Sequence, residues 1–401
     1  MGRGLMRRAY KFRMRPTAGQ HLRLQACLES HRELYNAALQ ERRDAWKMTR
    51  TGVSYASQSA QLKGIREVRP DVAVWSFSSE QATLRRLNRS FAAFFRRVKT
   101  GEKPGYPRFE AAHRFDSVEW PSDGDGCRWK PDTNRVYLQG VGDVRVTCHR
   151  PVKGRVKTIQ VCRSGRKWYL VLSCDEVPAQ PLPRTGVLVG VDVGIASFVT
   201  TSDGEHVDNP RWARAGHARL EAAQQRLARK QRGSNNRRAA RESVAARHRK
   251  ITDRRRDFHH KVARDLVTNY DLIAVEDLKI TNMVRRAKPV SDPDQPGQLR
   301  PTGQAAKSGL NRSIHEAGWA AFVGILEAKA EEAGRRVLDV DPRHTSDRCE
   351  ACGHAAQENR VSQAVFRCVA CGHVADADEH AARSILRAGL ALLAAEQAEA
   401  A

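Results

Sequence analysis

Four cysteines near the C-terminus constrain this chain more than any other feature. Cys349 and Cys352 form one C-x-x-C pair, Cys368 and Cys371 form a second, and fifteen residues separate the pairs. Two thiolate pairs at this spacing complete a tetrahedral Zn²⁺ site, each pair on its own tight turn. Gly353 and Gly372, directly after the pairs, suit those turns. Four thiolates close the coordination sphere, so the site reads as structural. His354 and His373, behind the glycines, are assigned to its surroundings. Five residues after Cys371 begins the acidic run Asp376-Ala-Asp378-Glu379, which opens an Ala/Leu-rich helix over about 379–396. The other cysteines, at 27, 127, 148, 162 and 174, are scattered and odd in number. They offer no disulfide framework and suit a reducing compartment.

Charge sets the class of partner. The chain of 401 residues carries a formal net charge of +25, with a sequence pI near 10.2. A surplus of this size calls for a polyanion, and nucleic acid is the first expectation because Lys and Arg neutralise phosphate. No run of about 18 apolar residues exists, so no membrane association is expected.

In chain order, residues 9–16 alternate apolar and basic positions as a strand does. Thr17 caps a helix over about 18–48 with Leu22, Leu24, Leu28, Leu34, Ala38 and Leu39 on its buried side. A second helical block spans about 79–99. Leu84, Leu87, Phe91, Phe94 and Phe95 form its apolar stripe, opposite Arg85, Arg86, Arg89, Arg96 and Arg97. Strand patterns punctuated by turns then run over about 114–177, and with the N-terminal strand they predict a small β-barrel. The Pro-rich segment 177–185 marks the main boundary. Beyond it a buried apolar strand ends in Asp192, with Gly194 turning the chain into a second strand and a hairpin at Asp203-Gly204. From Arg226 to Lys261, fourteen Lys/Arg stand against three acids, in a helical hairpin broken at 233–236. A second short apolar strand ends in Glu276. Residues 285–309 read as a mobile loop, 313–334 as one amphipathic helix and 335–340 as a strand.

Asp192 and Glu276 each end an apolar strand, which puts a carboxylate at the rim of a buried sheet. If the strands are neighbours these carboxylates converge, and Asp378 at the start of the last helix can join them. Three close carboxylates repel unless cations neutralise them, and hard oxygen ligands with open positions suit Mg²⁺ or Mn²⁺. Asp203, Asp277 and Asp376 are competing acids in the same segments.

The motifs Gly190-Val-Asp192-Val-Gly194, Val275-Glu276-Asp277-Leu278, Thr345-Ser346 ahead of the first cysteine pair, and Cys371-Gly372-x₃-Asp376-x-Asp378-x₂-Ala381-Ala382 occur in that order. With Tyr10-Lys-Phe-Arg, Pro104-Gly-Tyr-Pro-Arg-Phe109 and residues 310–319, they resemble the TnpB family of transposon-encoded proteins over nearly the whole chain. The resemblance implies an α+β multidomain protein. Its parts would be a wedge β-barrel (1–16 and 110–180), an inserted helical recognition region (17–109), an RNase H-like RuvC nuclease (181–343 and 375–401) and a zinc-ribbon insert (344–374). It implies an RNA-guided DNA endonuclease that takes a guide RNA from the transposon end and double-stranded DNA bearing a short adjacent motif, in the cytoplasm of a prokaryotic cell at the nucleoid. The implied RuvC triad is Asp192, Glu276 and Asp378. Asp378 is chosen over Asp376 because the family's acid stands two residues before an Asn, whose place His380 takes here; Asp347 stands where Gln is usual. Gln81 matches the family's contact to the target-adjacent motif. Arg85, Arg89, Arg237, Arg238, Arg254 and Arg255 are further nucleic-acid candidates. The alternatives are a compact type V effector guided by CRISPR RNA and a nuclease-dead guided DNA binder.

Overall fold

Strand β1 (Leu5–Arg15) alternates as a half-buried strand must. Met6, Tyr10, Phe12 and Met14 turn inward, while Arg7, Lys11 and Arg15 face outward. The computed structural model describes residues 5–287 and 303–399, and the chain divides into two units, the first ending at Pro178 and the second starting at Ala179.

In the first unit α1 (Ala18–Thr49), α2 (Tyr55–Val68), α3 (Pro70–Ala73) and α4 (Phe77–Lys99) follow β1. A capping box starts α1: the Thr17 N–H donates to Gln20 Oε1 at 3.1 Å and the Gln20 N–H to Thr17 Oγ1 at 3.3 Å. Leu24, Leu28 and Leu39 are buried, but Leu22 is 65 % exposed. Two residues before Leu24 is about 200° around a helix, which puts Leu22 on the far face. On α4, Leu84, Leu87 and Phe91 are buried, whereas Phe95 is 61 % exposed and packs only edgewise or stacked on its neighbours Phe94 and Phe91. Helix α2 has no counterpart in the sequence reading. It buries only Gln58 and Leu62, too little to write a helical period.

Strands β2 (Ser117–Trp120), β3 (Cys127–Lys130), β4 (Arg135–Leu138), β5 (Gly142–Thr147), β6 (Arg155–Ser164) and β7 (Lys167–Pro178) complete this unit. With β1 they form an antiparallel, nearly closed seven-stranded sheet in the order β2-β6-β7-β1-β5-β4-β3. Its interior is filled by Phe12, Trp120, Trp168 and Leu170. The four helices are thus inserted between the first and second strands of one sheet.

The second unit runs β8 (Leu188–Asp192), β9 (Ser197–Thr201), β10 (His206–Asp208), α5 (Trp212–Ala228), α6 (Asn235–Asn269), β11 (Leu272–Glu276), α7 (Ile280–Met283), α8 (Gln304–Ala317), α9 (Trp319–Ala333), β12 (Arg336–Val340), β13 (Val365–Arg367), β14 (Val374–Asp376) and α10 (Ala377–Glu399). Its sheet has the order β10-β9-β8-β11-β12, with β8, β11 and β12 parallel and β9 and β10 antiparallel. Strands covered on both faces need near-continuous apolar sequence, which Val189, Val191, Ile273, Ala274 and Val275 supply. One face meets α6 and α9 through Leu266, Phe322 and Leu326; the other meets α10 through Ala274, Val340 and Ile385.

Two expectations are corrected here. Residues 313–334 are not one helix. Gly318 takes a left-handed φ of 69° and its N–H closes on the Ile314 carbonyl, ending α8 before α9 begins. Of the loop expected over 285–309, residues 288–302 lie outside the described residues, and 304–309 already belong to α8. Among the described residues no helix is long and apolar enough to cross a membrane.

Candidate active site and metal centre

Register brings the first two carboxylates together. Strands β8 and β11 run parallel with Val191 opposite Val275, so Asp192 and Glu276 leave the carboxyl ends of neighbouring strands at one level. The period of two puts both on the face that also carries Gly190 and Ala274. That is the face α10 covers. A Cβ at Gly190 would overlap the Ala382 carbonyl oxygen and stand 2.6 Å from Leu386 N, and one at Gly389 would stand 2.7 Å from Ala274 Cβ. Backbone without side chains on both sides therefore lets α10 lie against the strands, which sets its first turn, and Asp378 with it, over the strand ends. Ligand sites of open α/β sheets gather at this edge.

The acids perturb one another's charges. Burial, then the negative charges of Glu276 and Asp378, push the Asp192 carboxyl up to about 7, while Arg360 pulls the other way. Burial also raises Glu276, against the Thr345 hydroxyl and Arg360. Thr345 Oγ1 lies 2.5 Å from Glu276 Oε1 and 2.9 Å from the Pro342 carbonyl, which fixes the carboxylate's orientation. Arg360 Nη2 stands 3.2 Å from Asp378 Oδ1. Sequence reasoning missed Arg360, since a lone arginine between two cysteine pairs carries no spacing signal. Among the described residues, the groups whose ligand atoms all lie within 4.8 Å do not include this triad. The competing acids are otherwise engaged: Asp277 with Lys279 at 2.5 Å, Asp203 with the Tyr270 hydroxyl at 2.6 Å, and Asp376 Oδ1 with the backbone N–H groups of Asp378 and Glu379.

The four cysteines do meet within 4.8 Å. Cys349 and Cys371 sulfurs are 3.7 Å apart, and those of Cys352 and Cys368 3.5 Å. Sulfurs about 2.3 Å from one tetrahedral ion stand about 3.8 Å from each other, so the set fits a thiolate-bound metal. Both knuckles have the same geometry. Gly353 (φ 77°) and Gly372 (φ 74°) donate to the Cys349 and Cys368 carbonyls, and the N–H of those cysteines returns to His354 O and His373 O. The His373 ring turns aside to Glu350 at 3.0 Å. His380, standing where the resemblance calls for Asn, does not face the carboxylates. It is fully buried and stacks on Phe366 of β13 at 3.7 Å, joining the first turn of α10 to the ribbon.

The basic candidates separate by partner. Arg237 donates to the Leu227 and Lys230 carbonyls and Arg255 to those of His315 and Glu316, so both close helix ends. Arg85 bonds the Tyr55 hydroxyl and Gln81 bonds Ser59. Arg89 reaches Glu119 at 3.7 Å but stays 66 % exposed. Arg238 is exposed, and Arg254 lies over the Trp212 ring, also exposed.

Three family descriptions match: a probable transposase over residues 169–287, a Cas12f1-like TNB domain over 319–385 and a helix-turn-helix domain over 6–51. The chain is 32% identical over 388 residues to the "Putative RNA-guided DNA endonuclease InsQ" of Escherichia coli (strain K12), spanning 96% of this chain and 93% of that protein. The chain belongs to the TnpB family. A "Putative RNA-guided DNA endonuclease" of Streptomyces pristinaespiralis is likewise 32% identical over 391 residues, 96% of this TnpB-family chain and 90% of that protein. In fold, the family member matches a chain of the cryo-EM Cas12f1-sgRNA-target DNA complex with a TM-score of 0.55 at 14% identity, over 95% and 98% of the two chains. The helix-turn-helix segment of this TnpB-family chain is, in structure, β1 followed by the single 32-residue helix α1.

Proposed function

We propose that this protein is an RNA-guided DNA endonuclease that cuts through one RuvC-type centre formed by Asp192, Glu276 and Asp378. The observation that carries the reading is the register of β8 on β11 together with the Gly190 contact of α10, which gathers three acids from three distant segments. The relatives' names supply the guided activity; the acids supply a place for it.

Asp192, Glu276 and Asp378 would hold Mg²⁺ or Mn²⁺, and the Cys349, Cys352, Cys368 and Cys371 set Zn²⁺. Divalent ions held there would supply an activated water and neutralise charge on the leaving oxygen for phosphodiester hydrolysis. Thr345 keeps Glu276 aimed. Arg360 pairs with Asp378 and offsets part of the negative charge on Asp192. The nearly closed sheet (1–16 and 110–180) and its inserted helices (17–109) would take the guide RNA and the motif beside the target. Residues 181–343 and 375–401 would form the nuclease and 344–374 its zinc ribbon. The exposed arginines of α6, Arg238 and Arg254, would follow the nucleic-acid backbone. The setting is the prokaryotic cytoplasm.

The test is to co-express the protein with its flanking genomic DNA and sequence the RNA that copurifies. A discrete RNA ending in variable sequence, and Mg²⁺-dependent cutting of matching DNA that Asp192→Ala abolishes while binding persists, is the expected result. Cutting by RNA-free protein, or undiminished cutting by Asp192→Ala, would overturn it.

A further inference from the structure

A second group of metal-ligand side chains lies on the same unit, distinct from the cysteines and flanking Asp378 of the triad. His206 of β10, Asp376 at the end of β14 and Glu379 in the first turn of α10 bring one ligand atom each within 4.8 Å of one another. Two distant segments supply them, His206 from one and Asp376 with Glu379, three residues apart, from the other, and each side chain has a further hydrogen-bond partner. Ser197 Oγ and Thr200 Oγ1 both lie 3.3 Å from His206 Nδ1, which leaves Nε2 toward the carboxylates, 3.4 Å from Glu379 Oε1. Asp376 Oδ1 accepts the N–H groups of Asp378 and Glu379, leaving Oδ2. Arg383 takes Glu379 Oε2 at 3.3 Å, leaving Oε1. Gly204, at a left-handed φ of 89°, turns the hairpin beside Glu379.

Outer partners that fix a ring tautomer and leave the second nitrogen as a ligand are the mark of an imidazole metal site. Metal binding at Nε2 puts the ring proton on Nδ1, from which Ser197 Oγ or Thr200 Oγ1 can accept it.

We propose that His206, Asp376 and Glu379 bind a first-row transition-metal dication, of the Zn²⁺ or Mn²⁺ class, in an open site that ties the β9–β10 hairpin to the start of α10. One imidazole with two carboxylates suits such an ion; Mg²⁺, which prefers an all-oxygen octahedron, is not its ligand class. The side chains of His206 and Glu379 are 37 % and 31 % exposed, so water fills the remaining positions. The ion pins the residues on either side of Asp378 to the β9–β10 hairpin, and holds that turn rigid whether or not the triad is loaded.

The test counts ions. Full-length protein with its cysteine site filled is dialysed against micromolar Zn²⁺ in the presence of millimolar Mg²⁺, and bound metal is measured by mass spectrometry. Wild type is expected to hold one more equivalent than His206→Ala, with Glu379→Gln as the second variant and circular dichroism checking the fold of each. Asp192→Asn separates this site from the triad. If Asp192→Asn keeps the extra ion and His206→Ala loses it, the assignment stands whatever the fate of the nuclease reading. If His206→Ala and Glu379→Gln are folded and bind as many ions as wild type, the site does not exist.

Discussion

Asp192→Asn is expected to make the protein inactive and more stable at once. The Asp192 carboxyl ordinarily titrates near 3.8, and in the fold it rises to about 7 because it is buried beside Glu276 and Asp378. A raised carboxyl pKa is a stability contribution that is complete in acid and is lost as pH climbs through the folded value. Above pH 7 the group is charged in both states, and the gap corresponds to about 4 kcal/mol of destabilisation. Asp192 is only partly buried, so solvent reduces this to about 2–3 kcal/mol. Asparagine keeps the shape and removes the charge. For a unit of this size the gain is about 5–10 °C in Tm. Thermal unfolding of both proteins at pH 8 and pH 5 is the assay. No divalent ion is added, and no chelator is used, so that the cysteine site keeps its metal. The variant should melt higher at pH 8, the difference should shrink to less than half by pH 5, and millimolar Mg²⁺ should raise wild type alone. Equal melting at pH 8, a difference independent of pH, or a less stable variant would refute the argument that three crowded acids strain this fold until cations arrive.

Other outcomes follow from the same geometry. Gly190→Ala forces a methyl into the Ala382 carbonyl and should destabilise the second unit by about 3 kcal/mol and abolish cutting, read by denaturant unfolding and a plasmid cleavage assay. Cys349→Ser should release the ribbon's metal, lowering bound zinc by one equivalent and removing cleavage while RNA binding persists. Arg360→Ala removes the positive charge that pulls Asp192 and Glu276 down, so the acid limb of the pH–cleavage profile should move to higher pH. Arg238→Gln and Arg254→Gln should each lower the salt slope of RNA binding by about 1. Arg237→Gln and Arg255→Gln, which strip helix-end carbonyls of a partner, should lower Tm instead.

Much of this was legible before any coordinates. Apolar runs that end in an acid, as at Val189–Asp192 and Ile273–Glu276, belong to strands buried on two faces, and their physical meaning does not depend on context. The paired cysteines with a glycine after each were equally readable, because metal geometry dictates their spacing. What escaped the sequence depended on distant partners. The hydroxyl of Thr345 acquires its role only when Glu276 arrives beside it. Arg237 and Arg255 look like any solvated arginines until the ends of α5 and α8 come within reach. Leu22 and Phe95 show the limit of periodicity: Leu22 falls on the far face of its helix from Leu24, and Phe95, near the end of α4, stays largely exposed. His380 replaced a helix-start polar residue and became a stacking partner for Phe366, an exchange that only the ribbon's position explains.

Among the described residues, the ribbon's apolar core is Cys349, Phe366, Cys368 and Ala377, and it runs through β14 directly into the helix that bears Asp378. It also supplies the arginine that touches that acid. A module so small is folded by its metal or not at all. With Zn²⁺ in the cysteine set, as proposed, the cutting edge would be hostage to zinc supply and thiol oxidation, with Cys352 and Cys371 open to solvent. A cell short of zinc, or under oxidative stress, would carry the same polypeptide as a DNA-gripping roadblock in place of a blade.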